Sequence, residues 1–472
     1  PLTGAERLDT LRIFSDRLTV DDTGMLLLDG IQADRLLTLF GSPLVVTTEG
    51  TLLANLDRLR QAFASSWPGA VQVLYAIKSN NSLALRHLLS RAGAGGDCFG
   101  EAELSATLDS GADPTHVALN GSDKSCALVA RAVAAGVMIN IDGEDEIDFV
   151  QRACQDTDMR ARVNLRLKVL PEKLGPFMSG SSLKHGAGIA SVRHAKWGFT
   201  PAAAAPLLDR LLALPEVDML GFSCHIGHLS NEPAAFAAIA ESFGQAVRGL
   251  ARETGFRPRI LDLGGGWARE REPEQGDREM CVVPIEAQAE AACEALLQSL
   301  GDLADPDEGR CPELWIEPGR YISGNAQVIL ASVGAIKADA GFRWAHVDAS
   351  TNDLQRVETG GFRYHILPAS RMHDPCDTTQ EIVGGTCFRS VLGAARTLPA
   401  LERGDFVAIL DTGMYAEVFA NQFNGVPRPA AVLIGPDQSV DLIRERETVA
   451  DIYRQHRLPD RLTEVPKEHS HV

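Results

Sequence analysis

The sequence predicts an α/β protein in which a (β/α)8 TIM barrel is followed by a C-terminal all-β domain. Two observations predict this. Between residues 70 and 317, eight short apolar runs alternate with longer amphipathic stretches rich in Ala and Leu. From about residue 321, β-type runs separated by Gly and Pro replace that alternation, and helical periodicity fades. The first pattern is typical of a barrel of parallel strands, and the second is typical of an all-β domain.

The eight apolar runs are too short for buried helices, and several are continuously apolar, as strands buried on both faces are. They are VQVLYAI (71–77), AGGDC (94–98), HVALN (116–120), VMINI (137–141), VNLRL (163–167), MLGFSCHI (219–226), ILDLG (260–264) and LWIEP (314–318). Amphipathic stretches such as SLALRHLLSRAG (82–93) indicate the helices between them, and this one ends in the Gly that commonly follows a helix.

Four parts of the chain are predicted. Residues 1–44 form an N-terminal segment that pairs with the β domain, residues 45–320 form the barrel, residues 321–460 form the β-rich domain, and residues 461–472 form a polar tail. The β-rich part is indicated by the runs AQVILASVGAIKA (326–338), RWAHVDAS (343–350), RYHILPAS (363–370), EIVGGTC (381–387), DFVAILDTG (405–413) and AAVLIG (430–435). The N-terminal runs that could pair with it are RLTVDDTGMLLLDG (17–30) and PLVVTT (43–48).

Composition excludes several classes of protein. With 45% hydrophobic and 23% charged residues, the 472-residue chain can bury a large core, which excludes a disordered or collagen-like protein. Its 45 basic and 63 acidic residues give a net charge of −18, which repels nucleic acid. We see no apolar run long enough to cross a membrane and no signal peptide. The nine cysteines are scattered, which argues against a disulfide framework or a metal cluster and predicts a cytoplasmic enzyme.

Polar residues follow the predicted strands. In a TIM barrel the active site lies at the C-terminal ends of the strands, so these side chains are expected to surround one barrel mouth. Any one of them alone is better explained as a solvated or capping residue, and the combination is more informative. They are Lys78, Asp97, Asn120, Asp142, Arg166, His225, Gly264–Gly266 and Glu317.

Three of these features predict pyridoxal 5′-phosphate (PLP) as cofactor. A lysine at a barrel mouth is partly desolvated, which is expected to lower the pKa of Lys78 and to favour an imine with a carbonyl compound. The backbone of Gly264–Gly266 can approach a phosphate closely, although three glycines could also be an ordinary loop. Glu317 could face a pyridine nitrogen and keep it protonated, or it could form a salt bridge with Arg320. His225 could lie against the cofactor ring or be a core histidine.

Ordered motifs across both predicted domains strengthen this interpretation. They are YAIKSN (75–80), KWGF (196–199), GFSCHIG (221–227), LDLGGG (261–266), IEPGRYI (316–322), VDASTNDL (347–354), GGTC (384–387), DTGMY (411–415) and FNGVPRP (423–429). From about residue 40 to 435 the chain resembles the fold-type III PLP-dependent decarboxylases, the family of diaminopimelate decarboxylase and eukaryotic ornithine decarboxylase. The resemblance implies an alanine racemase-like fold.

The resemblance also implies the roles of individual residues. It implies that Lys78 forms the imine, that His225 stacks on the ring and that Glu317 faces the pyridine nitrogen. Asp97 is expected near the imine. The implied phosphate contacts are Gly264, Gly265, Gly266, Gly319, Arg320 and Tyr415. Cys387 is implied to enter the site from a second subunit and to protonate the decarboxylated carbon, which makes the enzyme an obligate homodimer. Taken alone, Cys387 would be interpreted as a buried apolar residue.

Glu317 also favours decarboxylation over racemisation. A racemase on this fold needs less electron withdrawal and typically has an arginine opposite the pyridine nitrogen. Another function known on this fold is that of a catalytically silent homologue that binds a partner protein. The presence of Lys78, His225, Glu317 and Cys387 argues against it.

Departures from the family pattern bear on the substrate. Members that act on diamino substrates have acidic residues after the active-site cysteine, whereas this chain has Cys387-Phe388-Arg389. The usual proline and tyrosine after Arg356 are missing. Residues 173–200 contain no acid and several bases, and could form a lid. We therefore predict an anionic substrate bound by Arg320, Arg356 and Arg389. Examples are an L- or D-amino acid or an acidic conjugate such as a citryl-amino-acid intermediate of siderophore biosynthesis, with diaminopimelate as the alternative.

Overall fold

The computed structural model describes residues 1–169, 171, 193–225, 227, 232–272, 283–305, 307 and 309–463. A closed barrel of eight parallel strands forms its centre. The barrel strands are β5 (Val71–Ala76), β6 (Gly95–Cys98), β7 (Val117–Leu119), β8 (Met138–Ile141), β9 (Ala161–Leu167), β10 (Val217–Cys224), β11 (Ile260–Asp262) and β12 (Glu313–Ile316). Each of them lies in or overlaps one of the eight predicted apolar runs, so the predicted barrel is confirmed.

Helices cover the outside of the barrel. They are α3 (Glu49–Ser66), α4 (Leu83–Arg91), α5 (Glu101–Asp109), α6 (Cys126–Ala135), α7 (Glu146–Thr157), α8 (Pro201–Leu212), α9 (Pro233–Thr254) and α10 (Ile285–Leu300). Local sequence sets their ends. The hydroxyl of Ser125 accepts a hydrogen bond from the backbone of Leu128 at the start of α6, and Gly136 ends that helix in the left-handed conformation. Pro occupies the first turn of both α8 and α9.

A separate β-rich domain follows the barrel, as predicted. Its strands are β13 (Gln327–Asp339), β14 (Phe342–Val347), β15 (Ile366–Leu367), β16 (Thr378–Gly384), β17 (Val391–Leu398), β18 (Phe406–Ile409), β19 (Ala430–Ile434) and β20 (Val440–Arg444). Short helices α12 (Arg356–Thr359), α13 (Val449–Tyr453) and α14 (Asp460–Thr463) accompany it, whereas α11 (Arg320–Ser323) packs against α3 of the barrel. Strands β17 and β20 were not among the predicted runs, because polar residues and small residues interrupt their apolar pattern.

The N-terminal part contributes one strand to the β domain. Strand β4 (Leu44–Thr48) pairs antiparallel with β13 and parallel with β19, in a sheet of order β17-β16-β14-β13-β4-β19-β20. It therefore lies across the predicted limit at residue 44, and the four-part division of the chain stays a prediction.

Residues 17–30 do not join that sheet. They contribute β1 (Leu18–Val20) and β2 (Leu26–Leu28), which form a small sheet with β3 (Ile31–Gln32) between helices α1 (Gly4–Leu11) and α2 (Ala33–Phe40). The physical reason is a local hairpin, in which the Asp21 carboxylate accepts hydrogen bonds from the backbone of Thr23 and Met25. The buried leucines of this small sheet pack against the β domain. No helix in the described ranges is long and apolar enough to cross a membrane.

A buried network of charges joins the N-terminal part, the barrel and the β domain. Asp411 accepts hydrogen bonds from Arg269 at 3.1 Å and from Arg271 at 2.7 Å. Arg271 also donates to Asp16 at 2.7 Å. Burial alone would raise the pKa of Asp411, but Arg271 and Arg269 hold that pKa below its usual value. The three parts of the chain are therefore held together by charges that are paired only in the folded state.

We expect Asp411→Asn to destabilise the protein by about 3–5 kcal/mol, because it removes the carboxylate that two buried arginines share and leaves Asp16 and Glu272 as their only acidic partners in the network. Asparagine tolerates the positive φ of 63° at this position, so backbone strain does not explain a loss. The measurement is the urea unfolding midpoint. The control is Asp148→Asn, which removes an exposed ion pair with Arg210 and should cost about 1 kcal/mol or less.

The same substitution should change the pH dependence of stability. The contribution of a carboxylate with a lowered pKa is complete above the ordinary aspartate pKa of about 3.9 and is lost as the pH falls through the lower folded-state value. Asp411→Asn should therefore flatten the acid side of the stability profile. Equal stability of the variant and the wild type at neutral pH would contradict the role assigned to the network.

Candidate active site

A cavity of about 210 Å³ opens at the C-terminal ends of the barrel strands, between the barrel and the β domain. It brings together most of the predicted site residues. Its lining residues are Ala76, Lys78, His225, Gly227, Gly265, Gly266, Glu317, Gly319, Arg320, Arg356, Tyr415 and Phe419. Asp97 and Gly264 lie directly behind this lining, whereas Cys387 and Arg389 are not part of it.

Lys78 lies in a single helical turn that follows strand β5. Its ammonium contacts the carboxylate of the fully buried Asp97, and it lies 4.7 Å from the centre of the Phe99 ring. Burial lowers the pKa of Lys78, but the nearby carboxylates of Asp97 and Glu317 outweigh burial and raise the pKa above its usual value. The predicted lowering is therefore wrong for the free lysine, because two carboxylates face it from the ends of the neighbouring strands β6 and β12.

Glu317 follows strand β12 and is buried. Its carboxylate accepts a hydrogen bond from the Asn120 amide at 2.6 Å, and the same amide donates to Asp97 at 2.8 Å. Burial and the carboxylates of Asp262 and Asp97 raise the pKa of Glu317 well above its usual value. Glu317 therefore holds a proton more readily than an ordinary glutamate, and a carboxyl group that shares a proton with a pyridine nitrogen can keep that nitrogen protonated.

His225 follows strand β10, and its Nδ1 accepts a hydrogen bond from the backbone N–H of Gly265 at 2.9 Å. Burial lowers the pKa of His225 well below its usual value, and the charges of Lys78 and Arg166 lower it further. The imidazole is therefore neutral, and the accepted bond places its proton on Nε2. This tautomer presents a ring face and an N–H donor to the cavity.

The glycines pass so close to their neighbours that no side chain fits. A Cβ at Gly264 would lie 2.7 Å from His225 Nδ1, and a Cβ at Gly265 would lie 2.2 Å from the carbonyl oxygen of Glu317. Gly264 also has a φ of +69°, which favours glycine. At Gly319, a Cβ would lie 2.6 Å from the Cβ of Ser79, next to Lys78. The chain therefore holds its backbone against the cavity, as an anion cradle requires.

Two arginines lie on the wall formed with the β domain. The Arg320 guanidinium lies 5.9 Å from the centre of the Phe362 ring, and that of Arg356 lies 4.9 Å from the same ring. Arg320 also forms an ion pair with the buried Glu272 at 3.0 Å. The backbone N–H of Tyr415 donates to the carbonyl of Ser79 at 2.7 Å, which ties this wall to the turn that contains Lys78. Arginine forks placed in this way suit a carboxylate or a phosphate.

Cys387 and Arg389 are exposed on the β domain, outside the cavity of their own chain. The backbone N–H of Cys387 donates to Asn424 at 2.9 Å, and the neighbouring Phe388 ring contacts Phe423. Cys387 is thus not the buried apolar residue that its type alone suggests. Most of the predicted basic lid, residues 173–192, lies outside the described residues. In the ranges that the structure describes, no group of three or more His, Cys, Asp or Glu side chains could hold a metal ion.

Sequence reasoning missed three buried residues that shape the site. Asp262, in strand β11, accepts a hydrogen bond from the Gly264 backbone at 2.8 Å, and burial raises the pKa of Asp262 to about 7. Glu272 pairs with Arg320, and Phe362 lies under both arginines. An aspartate inside the apolar run ILDLG was a signal for Asp262, because a buried charge needs a reason. Glu272 and Phe362 carried no such signal.

These residues fit PLP. Lys78 offers an amine for the aldehyde, Glu317 offers a carboxyl group that can share a proton with the pyridine nitrogen, and Gly265 and Gly266 offer backbone close enough to hold a phosphate. When bound, PLP supplies the electron sink for decarboxylation of an amino acid.

Comparisons with known proteins agree with this geometry. The family model described as "Pyridoxal-dependent decarboxylase, pyridoxal binding domain" matches residues 51–324. The diaminopimelate decarboxylase of Methanothermobacter thermautotrophicus is 30% identical over 446 residues, covering 94% of this chain and 98% of the relative. That of Archaeoglobus fulgidus is 29% identical over 446 residues, covering 93% and 98%.

A solved structure also matches over most of this chain. The crystal structure of diaminopimelate decarboxylase from Methanocaldococcus jannaschii has a TM-score of 0.85 and 27% identity, covering 95% of this chain and 100% of that one. The predicted fold, the predicted PLP cofactor and the prediction of a carboxy-lyase that acts on a small molecule are confirmed. The chain belongs to the pyridoxal-dependent decarboxylases.

Proposed function

We propose that this enzyme decarboxylates diaminopimelate. The observation that carries the proposal is the pair of arginines, Arg320 and Arg356, on the cavity wall beside Lys78. Diaminopimelate has an amino group and a carboxylate at each end. When one end occupies the cofactor, the other end still presents a carboxylate, which an arginine fork binds well. The names of the relatives, which match over more than nine-tenths of the chain, support the same substrate.

The siderophore conjugate predicted first receives no support from these relatives. One observation still favours an acidic conjugate as a second candidate. The stretch Cys387-Phe388-Arg389 lacks the acids that would bind a distal ammonium, and Arg389 is exposed. Both candidates carry a carboxylate away from the reacting carbon, so they differ in what surrounds that carboxylate rather than in its charge.

The residues of this chain divide the work as follows. Lys78 would bind the cofactor aldehyde once its ammonium has lost a proton, and Asp97 would lie beside that bond. Glu317 would face the pyridine nitrogen and keep it protonated. His225 would lie against the ring face. The phosphate would be held by Gly264, Gly265, Gly266, Gly319 and Tyr415.

A second copy of the chain completes the site in this proposal. Cys387 is exposed on the β domain and is absent from its own cavity. Its neighbours Phe388 and Phe423 are 51% and 46% exposed, which is unusual for large apolar side chains that meet each other. A homodimer would cover these rings and bring Cys387 to the partner's cavity, where its thiol can donate a proton to the substrate carbon.

Lys78→Ala should abolish turnover and the covalent attachment of PLP, because no other group is proposed to bind the aldehyde. The measurement is borohydride reduction followed by peptide mapping, with circular dichroism to verify folding. The matched control is Lys168→Ala, which removes a lysine that also follows a barrel strand but binds a backbone carbonyl at 2.6 Å. Attachment of PLP to a different lysine in the wild type would refute the proposed site.

Arg356→Lys should raise the KM for diaminopimelate by roughly tenfold and leave PLP binding unchanged, because lysine keeps the charge but loses the bidentate fork and the ring contact. Carbon dioxide release is measured with diaminopimelate, lysine, ornithine and citrate-linked amino acids. The control is Arg363→Lys, an exposed arginine outside the cavity lining. Faster turnover of a citrate-linked amino acid than of diaminopimelate would contradict diaminopimelate as the substrate and favour the acidic conjugate.

Mixing inactive Lys78→Ala and Cys387→Ala subunits should restore about one quarter of wild-type activity. Half of the randomly formed dimers are then mixed, and each mixed dimer has one intact site of two. The activity is measured after the two variants exchange subunits, with each variant alone as control. If mixing restores nothing although Cys387→Ala is inactive alone, Cys387 acts within its own chain or only through structure.

A further inference from the structure

A continuous chain of hydrogen bonds crosses the base of the cavity from Lys78 to Glu317. Lys78 contacts Asp97, whose other carboxylate oxygen accepts from the Asn120 amide at 2.8 Å. The same amide nitrogen donates to Glu317 at 2.6 Å. Both N–H groups of one side chain are thus used, one on each carboxylate.

The orientation of this amide is determined by its other neighbour. The side-chain N–H of Asn140, in the adjacent strand β8, donates to the side-chain oxygen of Asn120 at 2.8 Å. A flipped Asn120 would place its NH2 group against that of Asn140 and its oxygen against two carboxylates. The backbone N–H of Asn120 donates to the carbonyl of Cys98 at 2.8 Å, which holds the residue in the barrel register.

The two carboxylates that Asn120 joins have different surroundings. Asp97 faces the ammonium of Lys78, whereas Glu317 lies near Asp262, whose Oδ2 makes no hydrogen bond within the described residues. Carboxyl groups buried this closely repel one another when ionised. The Asn120 amide donates to both Asp97 and Glu317 and so reduces that repulsion. Because both carboxylates bind the same amide, a change in the position of one affects the other.

We propose that Asn120 is a positioning residue, which joins the carboxylate at Lys78 to the carboxylate at the pyridine nitrogen and so fixes both ends of the cofactor relative to each other. The proposal rests on the roles proposed above for Lys78 and Glu317. Asn120 itself touches neither the substrate nor the reacting atoms, since it lies behind the cavity lining. It acts only through the two carboxylates that it holds.

A nearby asparagine provides a matched comparison. Asn164, in strand β9, pairs in register with Asn140 and is equally buried in the barrel, but its amide makes no hydrogen bond within the described part of the chain. Truncation of Asn120 and of Asn164 therefore removes the same atoms from the same barrel. Only the first truncation removes donors from Asp97 and Glu317.

The experiment compares Asn120→Ser, Asn164→Ser and wild type, each loaded with PLP and studied without substrate. We expect Asn120→Ser to release PLP about 10- to 100-fold faster, since charge-assisted hydrogen bonds are lost at both ends. The absorption maximum of the bound cofactor should shift, because the group opposite its ring nitrogen is no longer held. Asn164→Ser should match the wild type in both measurements.

Two results would overturn the proposal: wild-type release and absorption in Asn120→Ser, or equal changes in Asn120→Ser and Asn164→Ser. If Asn120→Ser does not fold, Asn140→Ser tests the same claim, because it removes the bond that orients Asn120 and leaves Asp97 and Glu317 intact. It should shift the absorption in the same direction, and an unshifted spectrum would overturn the proposal. Because substrate is absent, an error in the proposed substrate does not affect these measurements. If borohydride does not attach PLP to Lys78 of the wild type, the proposed function itself is wrong.

Discussion

The site depends on the burial of three carboxyl groups, those of Asp97, Asp262 and Glu317, around one lysine. Such groups are strongly disfavoured inside a protein unless they are paired, hydrogen-bonded or protonated. Each solution is used here: Asp97 pairs with Lys78, Asn120 donates to two of the three carboxylates, and burial raises the pKa of both Asp262 and Glu317. The barrel thus places an amine at one end of the cavity and a carboxyl group that readily takes up a proton at the other, which are the two groups that would face the aldehyde and the ring nitrogen of the cofactor.

A second set of buried charges connects this site to the rest of the molecule. Glu272 pairs with Arg320 on the cavity wall and with Arg269, which reaches Asp411 of the β domain. The position of a cavity arginine is therefore coupled to the contact between barrel and β domain. We infer that the β domain contributes more than a covering surface, because its carboxylate helps to determine the charge balance behind the substrate wall.

The sequence alone was sufficient to predict the barrel, because a strand buried on both faces leaves a continuous apolar run. It was also sufficient to predict that Lys78, His225 and Glu317 lie at one barrel mouth, since the ends of such runs converge in space. It was insufficient to predict pKa values and side-chain contacts that depend on groups brought together by the fold. The pKa of Lys78 is the clearest case: its own neighbours suggest desolvation, whereas Asp97 and Glu317 reverse the direction. Phe362 shows the same limit, as nothing near it in sequence indicates its two arginine contacts.

Phe362 also explains how Arg356 stays in the cavity wall although the residues that usually follow it in the family are missing. The proline and tyrosine that usually follow at this point of the family pattern are missing after Arg356. In the folded chain Arg356 still lines the cavity, with its guanidinium close to the rings of Phe362 and Phe419. Aromatic faces attract a guanidinium and restrict its rotation, so they can replace contacts that other side chains supply. Retention of the arginine, rather than of the residues that support it, is therefore the better indicator of an anionic group at this wall.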